Sequence, residues 1–134
     1  MKNILIISIF LFSLNCLGEI IPLKPEFLNT LGKQESSNNA KAIGDNKKAI
    51  GIYQIHLKYW QDATDFDKTI NGSYSDCFNP DYAKRIVTSY LNKYAKSAIQ
   101  KNDFEKLARI HNGGPLGYKN PNTIKYWKRF KNNR

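Results

Sequence analysis

The stretch KQESSNNAKAIGDNKKAIGIYQIH, residues 33–56, decides the fold, because it joins the end of a helix to a short extended segment. The helix ends at about Glu35, since the Ser-Ser-Asn-Asn run that follows competes with helical hydrogen bonding. Two glycines with an Asp-Asn pair between them predict an irregular hairpin or extended loop over residues 40–56. The expected class is therefore α+β, mostly α, with a small irregular β-hairpin after Glu35.

Helical patterns flank this stretch on both sides. Five segments carry helix-start residues or apolar side chains at helical spacing, and they begin near Pro25, Leu57, Pro80, Asp103 and Pro121. Asn79 is the predicted cap of the third helix, whose wide apolar face makes it the core helix. In the fifth helix, Ile124, Trp127 and Phe130 form the predicted apolar stripe. Residues 65–79 are expected to be a polar loop with an Asn-Gly turn.

The N-terminus has the order of a secretory signal peptide. A short basic start precedes an almost unbroken apolar run, residues 4–14, and the small residues Cys16 and Gly18 come before a cleavage position. This predicts a signal peptide over residues 1–18 and one domain over residues 19–134, secreted or periplasmic. The run is too short to span a bilayer comfortably, so no stable membrane span is expected. The alternatives are a buried N-terminal element and a lipid anchor on Cys16.

Charge and composition restrict the partners. Without Lys2, the chain carries 20 basic and 11 acidic side chains, a net charge of +9 that attracts polyanions. No nucleic-acid partner is expected, because the basic residues are scattered and no nucleic-acid-binding motif is present. Cys77 is the only cysteine beyond the predicted signal peptide, so a monomeric domain would be held by core packing without a disulfide.

The histidines and the cysteine suggest no other chemistry. His56 and His111 have neither an HxxxH spacing nor a cysteine pair, so no metal and no cofactor are expected. A cysteine hydrolase using Cys77 and His111 is disfavoured, because no small residues follow the cysteine to expose it on a turn.

Glu35 and Asp45 are the candidates for acid–base chemistry. Glycosidic cleavage needs a protonated carboxyl beside the leaving oxygen, and a glutamate at a helix end, half covered by apolar neighbours, meets that need. A second carboxylate can act as nucleophile, as base for water, or as a stabiliser of the cationic transition state. Taken alone, each residue has a plainer reading: Glu35 as a solvated helix residue and Asp45 as a turn former.

Three motifs in a fixed order change that balance. Glu35-Ser36 is followed by GIYQI, residues 51–55, with Tyr59-Trp60 shortly after it, and then by ARIHNGGP, residues 108–115. The ordered set resembles the lysozyme-like superfamily: the lytic transglycosylases and, more closely, the invertebrate-type lysozymes and their bacterial relatives. The resemblance covers residues 26–131. It departs from the disulfide-rich animal enzymes, because this chain keeps one cysteine.

The resemblance implies a lysozyme-like fold and an exported glycosidase that cleaves the β-1,4 bond between N-acetylmuramic acid and N-acetylglucosamine. It makes Glu35 the general acid and Asp45 the second carboxylate. The implied substrate-binding residues are Ser36, Tyr53, Gln54, Ile55, Tyr59, His111, Asn112 and Gly113. The implied partners are peptidoglycan strands and anionic cell-wall polymers. Two alternatives stay open: a lytic transglycosylase forming 1,6-anhydromuramic products, and a basic wall-binding protein without catalysis.

Overall fold

The computed structural model describes residues 18–134; the predicted signal peptide therefore lies outside the described residues apart from Gly18. Five α-helices and three short strands follow in this order: α1 (Pro25–Ser36), β1 (Ile43–Gly44), β2 (Ala49–Ile50), β3 (Ile55–His56), α2 (Leu57–Phe66), α3 (Pro80–Gln100), α4 (Phe104–Gly113) and α5 (Thr123–Asn132). Two 3₁₀-helices, Tyr74–Phe78 and Gly117–Lys119, lie in the connections. The predicted α+β class is confirmed, and the loop expected over residues 65–79 contains the first 3₁₀-helix.

The β-piece after α1 is a three-stranded antiparallel sheet with the order β1-β2-β3. Ile50 lies at its centre, opposite Ile43 on one side and Ile55 on the other. A turn of three left-handed residues, Asp45–Lys47, joins β1 to β2. Since Ile55 is completely buried, its side chain anchors the sheet to the helical core.

Side-chain caps fix where two central helices start. The Asn79 side-chain oxygen accepts hydrogen bonds from the backbone N–H groups of Asp81 and Tyr82, as the sequence predicts. The Asp103 carboxylate accepts one from the Lys106 N–H at the start of α4. These caps satisfy backbone donors that have no partner within a helix, so both helices begin at defined residues.

The core lies between α1, α3, α4 and α5. Phe27 of α1 packs against Phe104 and Phe130, with ring centroids 5.4 Å and 5.5 Å apart. The predicted stripe of α5 is only partly right: Phe130 is buried, but Ile124 is 42% exposed, and the other buried residues of α5 are Thr123 and Tyr126. The helix is rotated so that Tyr126 faces inward, toward the end of α1. No helix within residues 18–134 is both long and apolar enough to cross a membrane.

Candidate active site

Glu35 lies in the last turn of α1, which ends abruptly after it. Ser37 and Asn38 adopt left-handed backbone conformations, and their N–H groups bond back to the carbonyls of Lys33 and Gly32. This is a common way for a helix to end, and it satisfies carbonyls that would otherwise lack partners. The Glu35 side chain is 17% exposed, so its carboxyl reaches the surface through a narrow opening.

Two hydrogen-bonding groups meet one oxygen of Glu35. The Tyr126 hydroxyl donates to Oε1 at 2.5 Å, and His111 Nε2 lies 3.5 Å from the same atom. Among residues 18–134, no lysine or arginine nitrogen comes within 4 Å of this carboxylate. Burial, and then the charge of Glu35, raises the pKa of Tyr126 well above its ordinary value. Tyr126 therefore stays protonated and remains a donor to Glu35.

His111 is held by contacts on both ring nitrogens. Its Nε2 lies 3.1 Å from the Tyr53 carbonyl oxygen, which can only accept, so we assign the ring proton to Nε2. In the neutral ring Nδ1 then accepts from the Tyr59 hydroxyl, 2.9 Å away. Tyr59 in turn stacks on Tyr90 with ring centroids 3.6 Å apart, and burial raises the pKa of Tyr59 well above its ordinary value. The imidazole beside Glu35 is thus fixed in position and tautomer.

Asp45 lies in the turn between β1 and β2. Its backbone is left-handed, a conformation that aspartate tolerates better than most residues. Its side chain is 59% exposed and lies 3.2 Å from Nε2 of His56 on β3. His56 is also largely exposed, so this pair is solvated and orients the carboxylate more than it stabilises the fold.

A single cleft of about 350 Å³ has both carboxyl groups in its lining. It is lined by Glu35, Asp45, Ala49, Gln54, His56, His111 and Asn112. Gln54 bonds through its side-chain nitrogen to the Gly51 carbonyl, which holds its amide at the edge of the cleft. Gly44 leaves room for that amide, because a Cβ at this position would overlap the Gln54 oxygen. The two carboxylates therefore face one substrate-sized space.

The other predicted site residues occupy supporting positions. The Ser36 hydroxyl donates to the carbonyl of Ile52 at 2.8 Å, so it ties α1 to the following loop and makes no bond to Glu35. Tyr53 and Ile55 are buried, and neither lines the cleft, although the Tyr53 carbonyl positions His111. Gly113 packs against Thr123 at the end of α4.

Two residues that contact the carboxylates were not predicted, namely Tyr126 and His56. Tyr126 is 91 residues from Glu35 in sequence, and its only sequence indication is its place beside the apolar stripe of α5. His56 directly follows the GIYQI motif, and the strand register alone places it near Asp45. Within residues 18–134, no group of three His, Cys, Asp or Glu side chains is arranged to hold a metal ion.

Comparisons with known proteins identify relatives of this chain in sequence and in fold. The family model described as Destabilase matches residues 25–133. A lysozyme from Ostrea edulis is 31% identical over 137 aligned residues, covering 98% of this chain and 95% of the relative. Invertebrate-type lysozyme 6 of Caenorhabditis elegans is 32% identical and covers 78% of this chain and 82% of its own. An inhibitor-bound lysozyme from Meretrix lusoria superposes with a TM-score of 0.67 at 30% identity, over 82% of this chain and 89% of that structure.

The fold, the cleft and these relatives together define the class of the protein, a lysozyme-type glycoside hydrolase. Within that class the chain belongs to the Destabilase family, the invertebrate-type lysozymes. The resemblance drawn from the three sequence motifs is confirmed at the level of the family and the fold.

Proposed function

We propose that this protein hydrolyses the β-1,4 bond between N-acetylmuramic acid and N-acetylglucosamine in peptidoglycan, with Glu35 as general acid and Asp45 as second carboxylate. The observation that carries the proposal is the presence of both carboxyls in the lining of one cleft, with no lysine or arginine nitrogen of residues 18–134 within 4 Å of Glu35. The lysozyme relatives from Ostrea and Meretrix support the same reaction class.

Glu35 and Asp45 have different roles in the proposed reaction. Protonated Glu35 gives its proton to the glycosidic oxygen as the bond to the anomeric carbon breaks, and positive charge develops on the sugar ring. Asp45 faces that charge, either stabilising it or bonding to the anomeric carbon for the lifetime of an intermediate. Glu35, now a carboxylate, takes a proton from the water that attacks the anomeric carbon. Tyr126 and His111 hold Glu35 in place through both proton transfers.

Other predicted features have supporting roles in this proposal. Gln54 and Asn112 line the cleft and offer amide groups to the hydroxyl and N-acetyl groups of the glycan. We propose export from the cell, in line with the predicted signal peptide and with a substrate outside the membrane. Anionic wall polymers are the further partner that the net positive charge favours.

Glu35→Gln tests the catalytic assignment. Loss of general acid catalysis is expected to lower the rate of muropeptide release from purified peptidoglycan by about 10²–10⁴-fold, with an unchanged thermal unfolding midpoint. If the variant lyses cells at the wild-type rate, the proposed catalysis is wrong and the positive charge of the protein causes lysis.

Asp45→Asn and product analysis test the route. We expect a large loss of rate from Asp45→Asn and reducing-end muropeptides as the main product by mass spectrometry. Anhydro-muropeptides as the main product, with a nearly unaffected Asp45→Asn, would contradict hydrolysis, because the muramic 6-hydroxyl would then replace water.

A further inference from the structure

A second groove, of about 580 Å³, continues from the catalytic cleft. His56, His111 and Asn112 line both spaces, so a ligand bound in the cleft can extend into the groove without leaving the surface. Glu35 and Asp45 line only the first space, so the second groove can hold a neighbouring part of the same substrate.

Lys58 and Asp62, which both line this groove, belong to a cluster of charged side chains. Asp62 lies 2.7 Å from the Lys58 ammonium and 3.8 Å from that of Lys93, so one carboxylate is shared by two lysines. The Lys58 hydrogen bond is the main cause that lowers the pKa of Asp62, against a smaller opposing effect of burial. Asp62 therefore carries a negative charge, which balances the charge of one of the two lysines. The cluster keeps a net charge of about +1.

Lys58 is the member of the cluster that faces solvent. Its side chain is 77% exposed, whereas those of Asp62 and Lys93 are 15% and 30% exposed. An ammonium has three donors, and Asp62 occupies one of those of Lys58. The remaining donors favour an anionic ligand over a neutral sugar, because hydrogen bonds between an ammonium and a carboxylate are roughly twice as strong as those between neutral groups.

We propose that this groove binds the peptide stem of peptidoglycan, with Lys58 pairing with a free carboxylate of the stem. The inference rests on the proposed function, because it places the peptide-bearing sugar in the adjoining cleft. The stem is attached to N-acetylmuramic acid through its lactyl group and carries free carboxylates, so it is the anionic branch of an otherwise neutral strand. The aromatic rings of Tyr59 and Tyr94 in the same groove give the peptide backbone apolar surface to lie against.

The test compares two substrates: peptidoglycan strands with their peptides, and the same strands after an amidase has hydrolysed the lactyl amide, which removes the stem carboxylates and leaves one lactyl carboxylate on each muramic acid. Lys58→Gln is expected to raise KM for the peptide-bearing strands by about three- to tenfold with kcat unchanged, because it removes binding that ground state and transition state share. KM for the stripped strands stays at the wild-type value. The difference in KM between wild type and Lys58→Gln on the peptide-bearing strands shrinks as salt is added, because the ion pair is exposed to solvent.

Lys68→Gln is the matched control. Lys68 is also 77% exposed and pairs with an aspartate, Asp65, at 3.2 Å, but it lies outside the groove. This variant changes the net charge equally and is expected to leave both KM values unchanged. Equal losses in the two lysine variants, or equal losses of Lys58→Gln on both substrates, would overturn the assignment.

A binding measurement separates this inference from the proposed function. In a Glu35→Gln background, calorimetric titration with a soluble disaccharide-peptide is expected to give a Kd about three- to tenfold weaker when Lys58 is also replaced by Gln. The disaccharide alone should bind both proteins equally. Failure of wild-type protein to cleave either strand would refute the proposed function, whereas equal binding of the disaccharide-peptide to both variants would refute the groove assignment alone.

Discussion

At the scale of single residues, the surroundings of Glu35 account for its suitability as a proton donor. Its oxygen meets a phenol hydroxyl and one nitrogen of an imidazole whose position is fixed. A lysine ammonium in the same place would favour the charged carboxylate strongly, whereas neutral donors bond more weakly. Tyr126 and His111 therefore position the carboxyl without a lysine or arginine cation against it.

Cys77 gives a residue-scale prediction about pH. Burial, with a smaller contribution from the charge of Asp76, raises the pKa of the Cys77 thiol from its ordinary 9.0 to about 12. The unfolded chain loses this proton above pH 9 while the folded protein keeps it, so its contribution to stability is full below pH 9 and declines as pH rises toward 12. Between those values the free energy of unfolding should fall by about 1.4 kcal/mol per pH unit on account of this thiol.

Urea unfolding of wild type and Cys77→Ala from pH 8 to 11, under reducing conditions, measures this contribution. The cavity left by the substitution lowers stability at every pH, but the variant lacks the thiol titration. The two proteins should therefore converge in stability above pH 9. Several tyrosines also have raised pKa values, but they are present in both proteins and cancel in the difference. A gap that stays constant across this range would contradict the prediction.

The sequence identifies some residues of this site and misses others for a physical reason. Glu35, Gln54 and His111 lie in ordered motifs that resemble a known family, and all three line the cleft together with Asp45, which lies outside those motifs. Tyr126 comes from the last helix, and its contact with Glu35 depends on how α5 is rotated against α1, which is a property of tertiary packing. His56 reaches Asp45 only because β1, β2 and β3 pair in one particular register.

At the scale of elements, the loop between β2 and β3 sets the floor of the site. It carries the carbonyl that fixes His111 and the amide of Gln54, whose backbone is itself left-handed. Gly51 starts this loop with a φ of +76°, and a Cβ there would overlap the backbone carbonyl of Cys77. The glycine in GIYQI is therefore required for two reasons: its left-handed backbone conformation, and the close approach of the 3₁₀-helix Tyr74–Phe78.

Gly51→Ala should accordingly be severe. The left-handed backbone costs an alanine about 1–2 kcal/mol, and the overlap with a backbone atom cannot be relieved by a rotamer change, so we expect a total loss of about 3 kcal/mol or more. The displaced loop also moves Gln54 and the His111 partner, so activity on peptidoglycan should fall as well. Urea unfolding and muropeptide release measure the two effects.

Gly114→Ala is the control for Gly51→Ala. Gly114 has a similar φ of +82°, but no heavy atom lies within 4 Å of the position its Cβ would take. Its ψ of −173° places it in a region that is essentially restricted to glycine, so only a conformational cost of about 1–3 kcal/mol is expected there. Equal destabilisation by the two substitutions would show that backbone conformation explains the glycine at position 51 and that the overlap with the Cys77 carbonyl does not.

Helix boundaries were easier to predict than the direction in which a helix faces. Asn79 and Asp103 cap α3 and α4 as their sequences indicate, because capping depends on residues two or three positions apart. The apolar stripe of α5 is ambiguous, since its aromatic and aliphatic residues spread over about half of the helix circumference. Packing against α1 and α4 decides the matter by burying Tyr126 and leaving Ile124 exposed.

At the scale of the whole molecule, positive charge is concentrated toward the C-terminal end. From Lys106 to Arg134 the sequence has eight basic side chains and no aspartate or glutamate. Four of these cations lie on the exposed face of α5: Lys125, Lys128, Arg129 and Lys131. The opposite face packs into the core and contacts Glu35 through Tyr126, so one helix carries both a basic outer surface and a residue that positions Glu35.

We predict that this surface speeds the approach of the enzyme to an anionic wall. Tyr126 and Phe130 of α5 are buried and Ile124 is its one exposed large aliphatic residue, so the outer face offers mainly charge, which attracts polyanions. Replacing Lys125, Lys128 and Lys131 by Gln should slow lysis of whole walls about tenfold at low ionic strength and leave cleavage of a short soluble glycan unchanged.

The salt dependence provides the decisive comparison. Electrostatic attraction is screened over about 10 Å at 0.1 M salt and about 3 Å at 1 M, so wild type and the α5 variant should converge as salt is raised. A control with Lys68, Lys84 and Lys101 replaced by Gln loses the same net charge from exposed positions outside α5. If that control slows lysis as much as the α5 variant does, the net charge of the molecule is responsible and the position of the cations is not. If neither variant responds to salt, attraction to the wall has no part in the rate.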